Sequence, residues 1–511
     1  MRSRSIVPQP PLYFRYDLWV LLDFSMYDLY FNLVFANFRF VAMASNKKKK
    51  DTELCDLPKD LAPNILSWLP TKTAVTVSLL FMKGWWRIDM KSLSRLKFSF
   101  SDDQEEEHFV RFVAQVLRLR GSNRKLDSFS LTLNDEIDGG FVTRLVDYPL
   151  DNGVEKLKLS IYGIEGNFQL RPRVFSQASL VTLKLATNRD LIWINGDDVA
   201  AVHLPNLKTL WLDDVLVVDV EVFVRLLSGC PILEELVMID MKWQKWEACF
   251  VVSASLKRLK IIWTDNVEMD EFDRCPQSVL FDTPNLLYLE YTDHIAGQYP
   301  VLNFSSLIEA KIRLEKIDEE DEEEEVIVAD KATAFITGIN SVRKLYLHVN
   351  TIQVLHYNFD PPIPEFVNLS HLTIQSDKTL GWDAIPELLS SCPRLETLVL
   401  EGLFHLATDG CGDVCLCRNN EQTISCLVKS PVTHLEIYEG IVEKGRGEVT
   451  EDAARFVEQV KWFMMNMPQL QQVKIYGQTE DSVIALYDIA TELRRLEGKA
   501  SPKVQIYILQ A

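Results

Sequence analysis

Four cysteines in one short stretch, Cys411, Cys415, Cys417 and Cys426, form the densest group of chemically capable side chains in the sequence. Four thiolates can hold a tetrahedral zinc ion. The spacing here, C-x3-C-x-C-x8-C, matches no common zinc module, and two ligands one residue apart strain a single site. They are therefore read as loop cysteines, and no metal is expected. The eight histidines show no HExxH or other paired spacing. GxSxG, a phosphate-binding P-loop and GxGxxG after a strand are all missing. Asp102-Asp103 and Asp213-Asp214 read as turns or solvated faces, not catalytic pairs. Trp243 and Trp246, beside Lys242 and Lys245, have two readings: an aromatic binding patch, or an exposed loop packing on its neighbour. The second is adopted. The expectation is a protein with no catalytic residues, no cofactor and no resident metal.

Composition narrows the partners. The 511 residues carry a formal net charge of -19 and a pI near 5.0. Non-specific nucleic-acid binding depends on basic patches facing phosphates, so it is not expected. Nine cysteines over this length are not a disulfide framework. Cys230, Cys249, Cys275 and Cys392 sit in or beside apolar segments and read as buried thiols of a reducing compartment, nucleus or cytoplasm.

The elements that carry these residues repeat. LxxLxL or a close variant recurs as VEKLKLSI from Val154, LVTLKLAT from Leu180, LKTLWLDD from Leu207 and LEELVMID from Leu233. It continues from Leu256, Leu286, Val342, Leu369, Leu395, Val432 and Leu470. Starts between 154 and 233 are 26, 27 and 26 residues apart, and those from 342 to 395 are 27 and 26 apart. This period lies in the leucine-rich-repeat range. Alternation along a short strand sends the leucines to one side, and stacked copies share a core that one copy cannot build. Between strands, Val222, Phe223, Leu226 and Leu227 give helical spacing, with Gly229 as C-cap and Cys230-Pro231 as the stop. IPELLSSCPRLETL, from Ile385, repeats that device. Leu210, Leu236, Leu259, Leu289, Leu345, Leu372 and Leu398 are expected in one buried column. The run of eight acidic residues from Asp318 to Glu325 is read as a solvated, disordered insertion.

The amino-terminal part differs. Residues 1–50 are a non-globular hydrophobic extension and a lysine linker. Asp17, Asp23, Asp28 and Arg39 interrupt its apolar stretch, which argues against a membrane span. Met43 opens MASNKKKKDTELCDLP, which reads like a natural start, so the extension is taken as a start-site artefact, with a loosely packed extension or a membrane attachment as alternatives. Beyond it, Leu57, Leu61, Ile65 and Leu69, with Leu66 beside them, make one apolar stripe on a helix.

LPxxLxxxILxxLPTKxAV resembles the F-box. Together with CPxLExL in the repeats, it resembles the plant F-box/leucine-rich-repeat proteins. SPVTHLEIYEG from Ser430 and the helical RFVEQVKWFMMNMPQLQQVKIYG from Arg455 resemble that family's FBD region. The resemblance implies an α/β fold: a degenerate F-box helical module over 51–95, a repeat solenoid of parallel strands alternating with helices over 96–429, and an FBD-like cap over 430–511. It implies a non-catalytic receptor that docks a Skp-class adaptor, and through it a cullin scaffold, while the repeats capture a target. Leu57, Pro58, Leu61, Ile65, Leu66, Leu69, Pro70 and Val75 would be the adaptor-binding residues. The sequence departs from the family where SLLFMKGWWRIDM, from Ser78, replaces a Ser-Lys-Arg-Trp-Arg-like stretch, and where Pro63 enters the first expected helix. The alternative is a repeat-based binding protein whose F-box has decayed.

Overall fold

In the computed structural model the described residues are 67–80, 93–101, 105–122, 124–165, 168, 170–188, 192–243, 248–264, 277–316, 322–356, 362–408, 410–416, 426–439, 451–477 and 504–510. The chain forms two compact units, residues 1–66 with 74–88, and residues 67–73 with 89–511. In the first unit, the described part is residues 74–80 of the helix Thr71–Leu80. Among the described residues no helix is long and apolar enough to cross a membrane.

The second unit is built on one 15-stranded sheet whose strands follow one another in chain order. All its neighbours are parallel, from Arg95–Phe100 beside Ser128–Leu133 to Gln472–Gly477 beside Gln505–Gln510. Parallel pairing needs a crossover on every return, and the 26- to 27-residue period supplies it. The expected column forms in register. Leu210 pairs with Leu236, Leu236 with Leu259, and Leu259 with Leu289. Leu345, Leu372 and Leu398 follow side by side, and Leu435, Val473 and Ile506 extend the row. Each of the seven leucines is 2% exposed or less. Burying one such side chain contributes roughly 1.5–3 kcal/mol.

Four strands of the array lie outside the eleven LxxLxL copies read from the sequence, the last of them Gln505–Gln510. Arg95–Phe100 and Ser128–Leu133 place Phe98, Phe100 and Phe129 at inward positions, and Glu309–Glu315 places Ala310 in the column. Phenylalanine and alanine occupy the leucine positions, so the motif is invisible while the burial alternation persists. The FBD-like segment adds His434–Glu439, Gln472–Gly477 and Gln505–Gln510 to the same sheet, with the helix Glu451–Asn466 between the first two. It continues the array and shares its core.

Helices and two small parallel sheets line the other side of the core. Ala248–Val252, Ser278–Asp282 and Leu302–Asn303 form one sheet; Trp193–Ile194, Leu216–Val217 and Lys242–Trp243 form the other. The helix Val220–Ser228 buries Val222, Phe223, Leu226 and Leu227, as its spacing predicts, and Asp219 caps it by accepting from Val222 N at 2.9 Å. Gly229 does follow this helix, but with φ −76°, so handedness does not require glycine there. Space does: a Cβ would lie 2.1 Å from Val202 Cγ1 and 3.1 Å from Val202 O. The equivalent Ser391 has φ −81°. Cys230 and Cys392 are both buried, and each donates its thiol to the carbonyl four residues back, Leu226 at 3.3 Å and Leu388 at 3.0 Å.

Arg120, at the end of the helix Glu106–Arg120, is 1% exposed and makes four hydrogen bonds. It donates to Leu93 O, Arg124 O, Lys125 O and the Tyr148 hydroxyl at 2.8–3.1 Å. A buried guanidinium is tolerable because its donors meet fixed carbonyl dipoles.

The acidic insertion needs correction. A helix spans Glu322–Gly338, so the second half of the run Asp318–Glu325 is helical and not a disordered loop. Carboxylates in a first helical turn are favoured by the exposed amide dipoles there.

Leu236→Ala and Leu372→Ala are each expected to cost roughly 2–5 kcal/mol, from lost transfer energy and a residual cavity. Gly229→Ala should cost roughly 1–3 kcal/mol through overpacking against Val202, whereas Ser391→Ala should stay within about 0.5 kcal/mol. Denaturant midpoints of the full chain measure all four.

Candidate functional site: the open face of the sheet

Strand alternation that buries the leucines turns the intervening side chains outward, where they form cross-strand ladders. The first four strands place Arg95, Lys97, Lys156, Lys158 and Lys184 on this face, with serines and threonines between them and no carboxylate. In a chain of net charge -19 this is a local reversal of sign. Lys184 Nζ lies 4.0 Å over the ring of Trp211 on the next strand.

The middle strands form a paired network. Glu290 meets Lys260 at 2.8 Å and Lys311 at 3.4 Å, and accepts from the Tyr288 hydroxyl at 2.9 Å. Burial alone would raise its pKa, but Lys260, Lys311 and that hydroxyl hold it below the usual value. Arg258 covers the Tyr288 ring at 4.3 Å. Burial raises the pKa of the Tyr346 phenol, whose oxygen lies 2.8 Å from Gln375 Oε1 and 3.0 Å from Glu401 Oε2. Further on, Tyr438 and Tyr476 stack at 4.4 Å, and Lys474 meets Glu436 at 2.7 Å. Most of these side chains are half-buried, with Glu290 buried and Arg258 exposed, and they orient one another, a geometry suited to a partner's groups rather than to bond chemistry.

Asp213 ends its strand on this face. Burial and the nearby Asp240 push its pKa up to about 6. Asp214 follows with φ +52° and pairs with Lys242 at 2.9 Å, so of the Asp213-Asp214 pair only Asp214 makes the bend, while Asp213 is the last residue of its strand. Trp243 is not part of an exposed patch. It is 8% exposed and packs edge-on against Phe223 at 5.3 Å; Lys245 and Trp246 lie outside the described residues.

Of the adaptor-binding residues expected from the sequence, Leu57, Pro58, Leu61, Ile65 and Leu66 lie outside the described residues. Leu69 and Val75 are half-buried and Pro70 is exposed. Trp68, 63% exposed, carries Arg95 over its ring at 3.9 Å, and Thr71 Oγ1 accepts from Lys97 N at 2.8 Å. These contacts occupy part of the first strand's free edge.

A second cluster lies on the loop after Thr397–Glu401. Cys411, Cys415 and His405 place their ligand atoms within 4.8 Å of one another. Hydrogen bonds from Cys415, His405 and Thr408 pull the Cys411 thiol down to about 3, against desolvation. Cys426 is not in this group: it donates to Asp413 Oδ1 at 2.7 Å. Spacing rules missed His405 because it sits on its own, six residues before the first thiol. Cys417 lies outside the described residues.

Comparison with known proteins agrees with this geometry. The family description "FBD-associated F-box protein At5g56370, LRR repeats" matches residues 142–296, the stretch that holds the strands from Lys156–Ile161 to Tyr288–His294. F-box protein At1g56610 of Arabidopsis thaliana is 82% identical over 100% of this chain and 97% of its own length. F-box/LRR-repeat protein At4g14096 of the same plant is 38% identical over 87% of this chain and 92% of its own length. This chain belongs to the F-box/LRR-repeat proteins. F-box/LRR-repeat protein At3g59210, also from Arabidopsis thaliana, is 38% identical over 90% of this chain and 94% of its own length.

Asp213 gives a signed pH prediction. Its folded pKa is raised, so between about pH 4 and about pH 6 the folded state binds more protons than the unfolded state. Asp213 therefore lowers stability as pH rises through that window, and the penalty is complete above about 6. Asp213→Asn should raise the denaturant midpoint at pH 7.5 relative to wild type, with a gain that fades below pH 4.

Proposed function

We propose that this F-box/LRR-repeat protein is the substrate-recognition subunit of a Skp-cullin-F-box-type ubiquitin ligase. The stripe Leu57, Leu61, Ile65, Leu66 and Leu69 docks the adaptor together with Pro58, Pro70 and Val75, and the open face of the sheet captures the target. The role in ubiquitin transfer is proximity: a held target sees a high effective concentration of the ligase-bound donor. The observation that carries this reading is the uninterrupted in-register face of ordered polar and aromatic side chains, in a chain related over its whole length to F-box proteins.

Charge selects the kind of target. The outward positions of the first four strands supply five cations and no acidic residue of their own, so an acidic segment is the complementary ligand. A second reading, a repeat protein with a decayed F-box, is favoured by Pro63 and by the Gly84 and doubled tryptophan of SLLFMKGWWRIDM.

Two measurements separate the possibilities. Wild type is expected to co-purify with a Skp-class adaptor, and Ile65→Asp with Leu69→Asp to abolish that recovery. No adaptor with wild type supports the decayed F-box, and undiminished binding by the double mutant sinks the assigned surface. Lys156→Glu with Lys158→Glu should leave adaptor recovery unchanged while removing the proteins that wild type enriches under a proteasome inhibitor. Retention of all of them would exclude the cationic strands from recognition.

A further inference from the structure

We propose that His405, Cys411 and Cys415 form a zinc-class metal site within the loop that follows the strand Thr397–Glu401. Their three ligand atoms lie within 4.8 Å of one another. Tetrahedral zinc, with Zn–S near 2.3 Å and Zn–N near 2.1 Å, sets ligand atoms about 3.5–3.8 Å apart. Closing the set therefore takes side-chain shifts of roughly 1 Å, within rotamer adjustment. Two thiols and an imidazole suit zinc and exclude magnesium or calcium, which prefer oxygen ligands.

The surroundings are those of a built site. Cys411 and Cys415 are 2% and 1% exposed. The cysteines that serve as small core residues, Cys230 and Cys392, each spend their thiol on a helix carbonyl. Cys411 instead faces the Thr408 hydroxyl at 3.2 Å and the other two members of the group. His405 is oriented twice. Its ring stacks on the buried Trp382 at 3.9 Å and 11°, and its Nδ1 meets Leu403 O at 3.2 Å. A proton on Nδ1 directed at that carbonyl leaves the lone pair on Nε2, the tautomer found in metal-bound histidines with a backbone partner. Trp382 is itself fixed, donating to Ser376 Oγ at 2.9 Å.

The loop between the thiols is shaped before any ion arrives. Gly412 has φ +62°, a turn open to glycine at little cost. Asp413 accepts from Cys426 N at 3.0 Å and Leu427 N at 3.1 Å, and its carbonyl accepts from Trp462 Nε1 at 2.7 Å. Gln459 holds the next residues, donating to Val414 O at 2.7 Å and accepting from Leu416 N at 3.3 Å. A metal here would close the loop after Thr397–Glu401 on itself, and Gln459 and Trp462 of the helix Glu451–Asn466 already hold that loop in place. Both cysteines ligate as thiolates, and any proton a thiol still carries passes to solvent on binding.

The test uses the full chain, purified without chelator and then reconstituted with zinc or cobalt(II). Elemental analysis should find one equivalent of zinc, and the cobalt form should show the thiolate charge-transfer and tetrahedral ligand-field bands. Cys411→Ser with Cys415→Ser should lose the metal, His405→Ala should weaken it at least tenfold, and Cys230→Ala should keep it. The cobalt spectrum of wild type does not depend on any variant folding. No metal retained by reconstituted wild type, octahedral cobalt bands, or a Cys411–Cys415 disulfide in protein handled without oxygen would overturn the site.

Discussion

One constraint governs this molecule: a six-residue strand with leucine on one side cannot bury that side alone. The free energy of each column leucine exists because the next repeat covers it, and that repeat needs the one after it. Register then follows without further instruction. A slip of one residue would turn the whole leucine row to solvent and the lysines inward. The long row of parallel pairs from Leu96 to Ile506 is the consequence. So is the order of the open face, because its residues are placed by the same pleat.

On that face, polar groups are half-buried and must find partners. Glu290 shows how: Lys260 and Lys311 approach from the strands on either side, and Tyr288 from its own strand. Such a network holds side chains still before a partner arrives, which reduces the ordering entropy of binding. The first four strands differ. Their outward strand positions hold cations, serines and threonines and no acidic residue, a composition that favours encounter with an acidic partner.

Behind the sheet, the connections solve local packing problems by different means. Gly229 is present because Val202 leaves no room for a Cβ, whereas the same place in a later repeat accepts Ser391. Side chains also bridge successive turns. Asn206 donates to Ala178 O at 2.9 Å and Asn285 to Ala254 O at 2.8 Å, satisfying carbonyls that the strands do not reach. Near the carboxy-terminal end, Gln459 and Trp462 do the same for the cysteine loop.

The amino-acid sequence by itself determined the repeat. Its period, the inward leucines, the helix at Val220–Ser228 with its Asp-started first turn and the two Cys-Pro junctions are all local patterns, and local patterns are written in order along the chain. Where phenylalanine or alanine replaced leucine, in Arg95–Phe100, Ser128–Leu133 and Glu309–Glu315, the pattern was silent and only neighbouring strands declared the fold. The acidic run was misread for a related reason: like charges repel in an extended loop, but carboxylates are favoured in the first turn of a helix such as Glu322–Gly338. Tertiary structure decided everything that depends on residues distant in sequence. The cationic face gathers lysines from strands more than twenty residues apart. Trp243, read from sequence as part of a loop, is buried because Phe223 lies against it. Cys426 leaves its neighbours for Asp413, and His405, unremarkable in sequence, takes its place beside two thiols. Spacing rules see only what one element can bring together, and these groups are brought together by several.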